Sequence, residues 1–85
     1  MSKYRIEIGK KPLKVLSTLK RADQQRIKTV IYLLSDNPIP RTALKLSNEE
    51  SYRIRVGLYR VIYTIEHKIL RIQVIEIGHR KEVYR

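Results

Sequence analysis

Three arginines crowd one short stretch, SYRIRVGLYRVIY, from Ser51 to Tyr63. Tyr52, Ile54 and Val56 alternate with Arg53 and Arg55, and Tyr59, Val61, Tyr63 and Ile65 alternate with Arg60, Ile62 and Thr64, the period-2 signature of half-buried strands. Gly57-Leu58 suits a two-residue hairpin loop of type II′, whose first central residue needs positive φ. That turn sets the register: Val56 with Tyr59, Arg55 with Arg60, Ile54 with Val61, Arg53 with Ile62 and Tyr52 with Tyr63. One face is then tyrosine and aliphatic, and the other carries all three arginines, with Arg55 directly opposite Arg60. Like charges opposed across a ladder destabilise it, so the arrangement calls for an anion. Phosphate fits, because the planar fork of a guanidinium binds its oxygens in pairs.

The elements that must hold this face follow from the rest of the chain. Lys3 to Ile8 alternates, with Tyr4, Ile6 and Ile8 on one side, and reads as a first strand ended by Gly9. Pro12 fits a first helical turn, with Leu13, Leu16 and Leu19 as a short apolar stripe. Asp23 is placed to cap a second helix, in which Ile27, Val30, Ile31 and Leu34 follow the i, i+3, i+4, i+7 pattern. Asp36-Asn37-Pro38-Ile39-Pro40 stops that helix and opens a loop to about Glu50, with Leu44 and Leu46 as anchors. With His67 and Lys68 as the next turn, Ile65 pairs with Leu70, Tyr63 with Ile72, Val61 with Val74 and Arg60 with Ile75.

The expected fold is therefore α+β, a single domain over residues 1–85: two N-terminal helices packed on one face of a small, mainly antiparallel four-stranded sheet. The arginine face stays open. Arg71 and Gln73 belong to it, with Arg71 a solvated charge toward the far end. The tail GHRKEVYR is left near the turn end of the hairpin, where Arg80 joins Arg55 and Arg60, and a helical turn after Gly78 puts Arg80 and Tyr84 on one side.

Composition agrees with a polyanionic partner. The chain has 85 residues, with 19 Lys plus Arg against 8 Asp plus Glu and a net charge of +11. The charge is spread over strands and helices instead of lying opposite one apolar helical face, which argues against a membrane surface. There is no cysteine, so disulfides, thiol nucleophiles and cysteine metal sites are excluded. The start MSKYRIEI lacks the apolar segment of a signal peptide, and the expected location is cytoplasmic.

The order of strand, two helices, loop, YRIRVGLYRVIY, hydrophobic strand and HRKEVYR resembles the RelE/ParE toxin superfamily, particularly RelE-type messenger-RNA interferases, over essentially the whole chain. The hairpin and the IGHR-VY ending are its most specific parts. The resemblance implies a RelE-like, microbial-RNase-like fold and a toxin that enters the ribosomal A site and cuts messenger RNA there. It implies further that the toxin is silenced by a cognate acidic, RelB-like antitoxin, monomeric alone and hetero-oligomeric in complex. By position, Arg53 and Arg55 match the basic pair of the second strand, often lysine in relatives; Arg60 matches the arginine of the YR motif, Arg80 the arginine after the last strand and Tyr84 the terminal aromatic. Arginine, unlike lysine, stays charged at any relevant pH.

The chemistry also follows from the residues. The simplest way to cut RNA without a metal is attack of the neighbouring 2′-OH on phosphorus, which needs in-line positioning and stabilisation of charge on the phosphoryl oxygens. Fixed arginines supply the last. No cluster of His, Asp and Glu has metal-ligand spacing, and no cofactor is expected. The candidates for proton transfer are Tyr84 and His79, with reference pKa values of about 10 and 6.5; His79 is equally well a structural hydrogen bonder. Tyr52, Tyr59 and Tyr63 read as core, His67 as a turn residue, and Lys10, Lys11 and Lys14 as general phosphate contacts, as Arg71 is if RNA reaches it. Two other classes fit a basic domain: a ParE-like DNA gyrase inhibitor on the same fold, and a non-catalytic RNA-binding module.

Overall fold

The computed structural model describes residues 3–46 and 50–79. Strand β1 (Arg5–Ile8) leads into helices α1 (Lys10–Ser17) and α2 (Arg21–Leu33), followed by β2 (Leu44–Lys45), β3 (Ser51–Val56), β4 (Tyr59–Glu66), a single 3₁₀ turn at His67–Ile69, and β5 (Arg71–His79). The sheet has the order β1-β5-β4-β3-β2, with β1 parallel to β5 and the other pairs antiparallel. This is the expected α+β arrangement with one strand more than expected. The fifth strand, β2, comes from the segment read as loop: Leu44 pairs with Arg53 and Lys45 with Tyr52. Leu44 and Leu46 are exposed instead of anchoring that segment, and Ala43 packs against the core in their place.

The helices cover one face. Leu16, Ile27, Ile31 and Leu34 are buried with Tyr52, Ile54, Val56, Val61, Tyr63, Ile65, Ile72, Val74 and Ile77 in one cluster. Of the apolar stripe expected on α1, Leu16 is buried, Leu19 is partly buried and Leu13 faces solvent; a helix this short presents one turn to β5 and needs only one large side chain there. Lys20, not Asp23, stands at the N-cap of α2. Asp23 lies in the first turn, where its carboxylate still faces the helix amide groups, and accepts a hydrogen bond from the Tyr59 hydroxyl at 3.4 Å.

The tyrosines of the sheet are core residues with polar tips that find partners. Tyr52 and Tyr63 stack at 5.8 Å, Tyr63 donates to the Pro38 carbonyl at 2.7 Å, and Tyr52 donates to Glu50 at 3.1 Å. Burial, with Tyr52 alongside, pushes the Tyr63 hydroxyl up to about 12, and burial with the Glu50 hydrogen bond raises Tyr52 as well. His67 is a turn residue, sharing a hydrogen bond with the Tyr4 hydroxyl at 2.9 Å and lying 3.5 Å from Glu50.

The β4–β5 register differs from the expected one in two steps. The turn is four residues long, with Leu70 left-handed at φ 53°, so Glu66 pairs with Arg71 and Ile65 with Ile72. A bulge then separates Tyr63, paired with Val74, from Ile62, paired with Glu76. The sequence explains it. Strict alternation from Val74 would drive Glu76 into the core; one extra residue, Ile75, turns Glu76 outward and brings Ile77 in beside Val61.

Candidate nucleic-acid interface and active site

The β3–β4 hairpin has the expected register at every pair, and Gly57 sits at φ 62° with Leu58 outside the left-handed region, as a type II′ turn requires. Arg53, Arg55 and Arg60 therefore lie together on the face away from the helices. Arg55 stands directly opposite Arg60, and on the other side of Arg60 is Gly78, which puts no side chain beside the guanidinium. Arg60 is half-buried, and its Nε is shielded from solvent with no hydrogen-bond partner among the described residues. A buried donor of a charged group without an acceptor is costly. This donor belongs to the residue directly opposite Arg55 in the ladder, and an anionic acceptor would satisfy it.

The other candidates divide. His79 pairs with Tyr59, and directly opposed residues of a ladder point the same way. It therefore lies on the helix side of the sheet, its ring set edge-on to that of Tyr59 at 5.3 Å, not among the arginines. The bulge causes this, because unbroken alternation along β5 would have pointed His79 to the arginine face. Lys10, Lys11 and Lys14 are exposed on α1, also on the helix side. Arg71 is on the arginine face but at its far end, where its Nε donates to Glu66 at 2.6 Å and its Nη1 lies 3.7 Å from Glu7. The hydrogen bond to Glu66 raises its pKa despite partial burial, so it is committed to those carboxylates. Arg80 and Tyr84 lie outside the described residues.

Sequence reasoning missed two features of the face. Glu76, turned outward by the bulge and opposite Ile62, is a carboxylate on the strand beside Arg60, and it enters no ion pair with the described residues. The signal for it was the Val-Ile-Glu-Ile run, whose alternation fails unless a residue is looped out. Second, the loop before β2 forms a cleft with the arginines, lined by Arg41, Thr42, Ala43, Leu44, Arg53 and Arg55. A second, mainly apolar groove runs between α2 and the same loop, lined by Val30, Leu33, Leu34, Pro40 and Ile54 with Asp36, Asn37 and Thr42. Among the described residues no group of His, Asp and Glu is arranged to hold a metal ion, and no helix is long and apolar enough to cross a membrane.

Chemically, the face can hold an anion between opposed guanidinium groups and stabilise charge that grows on it. Comparison with known proteins places this geometry in context. Residues 5–84 match the model of a family described as ParE toxin of type II toxin-antitoxin system, parDE. The "Putative toxin RelE1" of Methanocaldococcus jannaschii is 32% identical over 89 residues, covering 98% of this chain and 97% of that protein. A chain of the archaeal RelE-RelB complex from Pyrococcus horikoshii superposes with a TM-score of 0.81 at 31% identity, over 94% of this chain and 97% of its own. The isolated RelE toxin of E. coli shares the fold, with a TM-score of 0.78 at 19% identity over 89% of this chain and 83% of that one.

Proposed function

The chain belongs to the ParE toxin family of type II toxin-antitoxin systems, and on that premise we propose that it is a RelE-type toxin: a metal-independent endoribonuclease that cuts messenger RNA in the ribosomal A site. The observation that carries this reading is the opposed pair Arg55 and Arg60, with the Arg60 Nε buried and unpartnered among the described residues. That arrangement costs stability in the free protein and is explained by a bound phosphodiester.

In this reading the scissile phosphate sits over the hairpin between Arg55 and Arg60, with Gly78 leaving it room. The 2′-OH of the preceding ribose attacks phosphorus, the bond to the 5′-oxygen of the next nucleotide breaks, and the arginines stabilise the charge on the non-bridging oxygens. Arg80 completes the donor set, and Tyr84 is the group for proton transfer. The products are a 2′,3′-cyclic phosphate and a 5′-hydroxyl. His79, on the helix side, has a structural part.

The partner in this reading is a cognate acidic antitoxin, RelB-like, as in the complexes in which the similar structures were solved. Complementary charge speeds encounter with a protein of +11, and the apolar groove beside α2, next to exposed Tyr32 and Leu33, suits the apolar side of an antitoxin helix. A second reading, inhibition of DNA gyrase, takes its support from the ParE description of the family; nothing in a gyrase inhibitor calls for opposed arginines on an open face. Primer extension on a translated messenger after induction separates the two: position-specific breaks within codons are expected, and growth arrest without them would overturn the ribonuclease reading.

A further inference from the structure

We propose that Arg41 and Arg53 form a second phosphate subsite, which seats a phosphodiester flanking the one that is cut; the proposal rests on the ribonuclease reading above. The backbone that carries Arg41 is held in place by its loop, and the side chain is exposed. The Ala43 N–H donates to the Pro40 carbonyl at 2.9 Å, closing a turn with Arg41 and Thr42 at its centre. The loop before it is tied to the core where Tyr63 donates to the Pro38 carbonyl, and the loop after it is tied to the sheet where Leu44 pairs with Arg53. Between these fixed points the turn stands beside β3 and encloses the cleft lined by Arg41, Thr42, Ala43, Leu44, Arg53 and Arg55.

No carboxylate lines that cleft, and Arg41 and Arg53 make no ion pair or side-chain hydrogen bond with the described residues. Arg71, on the same face, is held by two carboxylates. The contrast matters, because Arg41 and Arg53 are left available to an external anion on a face where Arg71 is already committed. Arg53 and Arg55 point to one face two residues apart, about 6.5–7 Å along the strand, a spacing of the order of neighbouring phosphates in an extended single strand. Arg55 and Arg60 then hold one phosphate, and Arg53 and Arg41 hold the next. Phosphate contacts of this kind fix register without reading sequence, so Arg41 is a positioning residue and not a catalytic one. The same chemistry is offered by the phosphates of ribosomal RNA, and the test separates the two sources.

The test uses a short single-stranded RNA made uncleavable by 2′-deoxy substitution, bound to the full chain without ribosomes over a range of salt concentrations. In parallel, single-turnover cleavage is measured on ribosomes programmed with messenger. Arg41→Ala should bind the oligonucleotide roughly three- to tenfold more weakly, and the slope of log affinity against log salt should shrink by about 0.7. Arg41→Lys should recover most of the slope. On ribosomes the loss should appear in the half-saturating toxin concentration and not in the saturating rate. An Arg41→Ala protein that matches the parent in affinity and slope on the oligonucleotide overturns the subsite, and a defect seen only on ribosomes assigns the phosphate to ribosomal RNA and overturns it equally. Neither result touches the ribonuclease reading, which fails separately if the parent protein does not cut the ribosome-bound messenger.

Discussion

Arg55 lies directly opposite Arg60 across the β3–β4 ladder, on the face that the helices leave open. Two cations in that relationship repel, and Arg60 has a buried Nε with no acceptor among the described residues. Replacing Arg60 by methionine, which keeps most of the length and apolar stem, should therefore stabilise the free protein by roughly 0.2–1 kcal/mol while abolishing its proposed activity. Chemical denaturation at low and high salt checks this. The gain should shrink as salt rises, and a variant less stable than the parent at low salt would show that the pair is not strained.

Buried Tyr63 makes the fold sensitive to alkali. Its folded pKa is about 12, above the reference value of about 10 for an unfolded chain. The protonated hydroxyl is thus favoured in the folded state, and its contribution is complete below pH 10 and is lost as pH rises from 10 to 12. Thermal melts across that window should show a steeper fall for the parent than for Tyr63→Phe. Below pH 10 the phenylalanine variant should be the less stable by about 1 kcal/mol, because the Pro38 carbonyl loses its donor.

The turn at Gly57 is the pivot of the site. At φ 62° an alanine is strained by about 1–2 kcal/mol, and its Cβ would meet the Arg26 guanidinium at 3.0 Å. Because Arg26 is long and exposed it can move aside, so the backbone term should dominate. Gly57→Ala should lower stability by that amount, and if the β3–β4 register also slips, it should weaken RNA binding as far as Arg55→Ala does. Denaturation together with oligonucleotide binding separates the two effects.

Much of this architecture was legible in the sequence because it rests on short-range rules. The Gly57 turn and the alternation on either side of it set the hairpin register with no knowledge of the rest of the chain, and the periodicity of α2 marked its buried side. What escaped was decided at longer range. Leu44 looked like an anchor because it is apolar, yet it pairs at the sheet edge and faces solvent. Asp23 looked like a cap, yet the α2 N-terminus begins at Lys20 and the carboxylate serves Tyr59 instead. The bulge in β5 had a signal, the misplaced Glu76, but choosing which residue to loop out needed the partner strand. That choice also decides the side of His79, which the sequence left open between proton transfer and a structural hydrogen bond and which is found beside Tyr59. Arg41 was hidden for a different reason, since nothing local says that a turn between prolines and a two-residue strand will stand over Arg53.

His79 provides a direct check on that geometry. With its ring against Tyr59 on the helix side, His79→Gln should leave the pH profile of cleavage on ribosomes unchanged. It should instead reduce stability through the lost ring contact. A shifted or flattened profile near pH 6.5, the reference value for histidine, would place this side chain in the chemistry.

The central claim is that the hairpin arginines hold a phosphodiester while its own ribose 2′-OH attacks it. It is tested most directly by single-turnover cleavage of an end-labelled messenger on programmed ribosomes, comparing the parent with Arg60→Ala and identifying the ends of the fragments. The account predicts a 2′,3′-cyclic phosphate, or the 3′-phosphate it decays to, facing a 5′-hydroxyl. It also predicts no cleavage when the attacking 2′-OH is replaced by hydrogen, and a rate about 10² to 10³ lower for Arg60→Ala. Fragments bearing a 5′-phosphate, or an Arg60→Ala protein that cuts as fast as the parent, would contradict it.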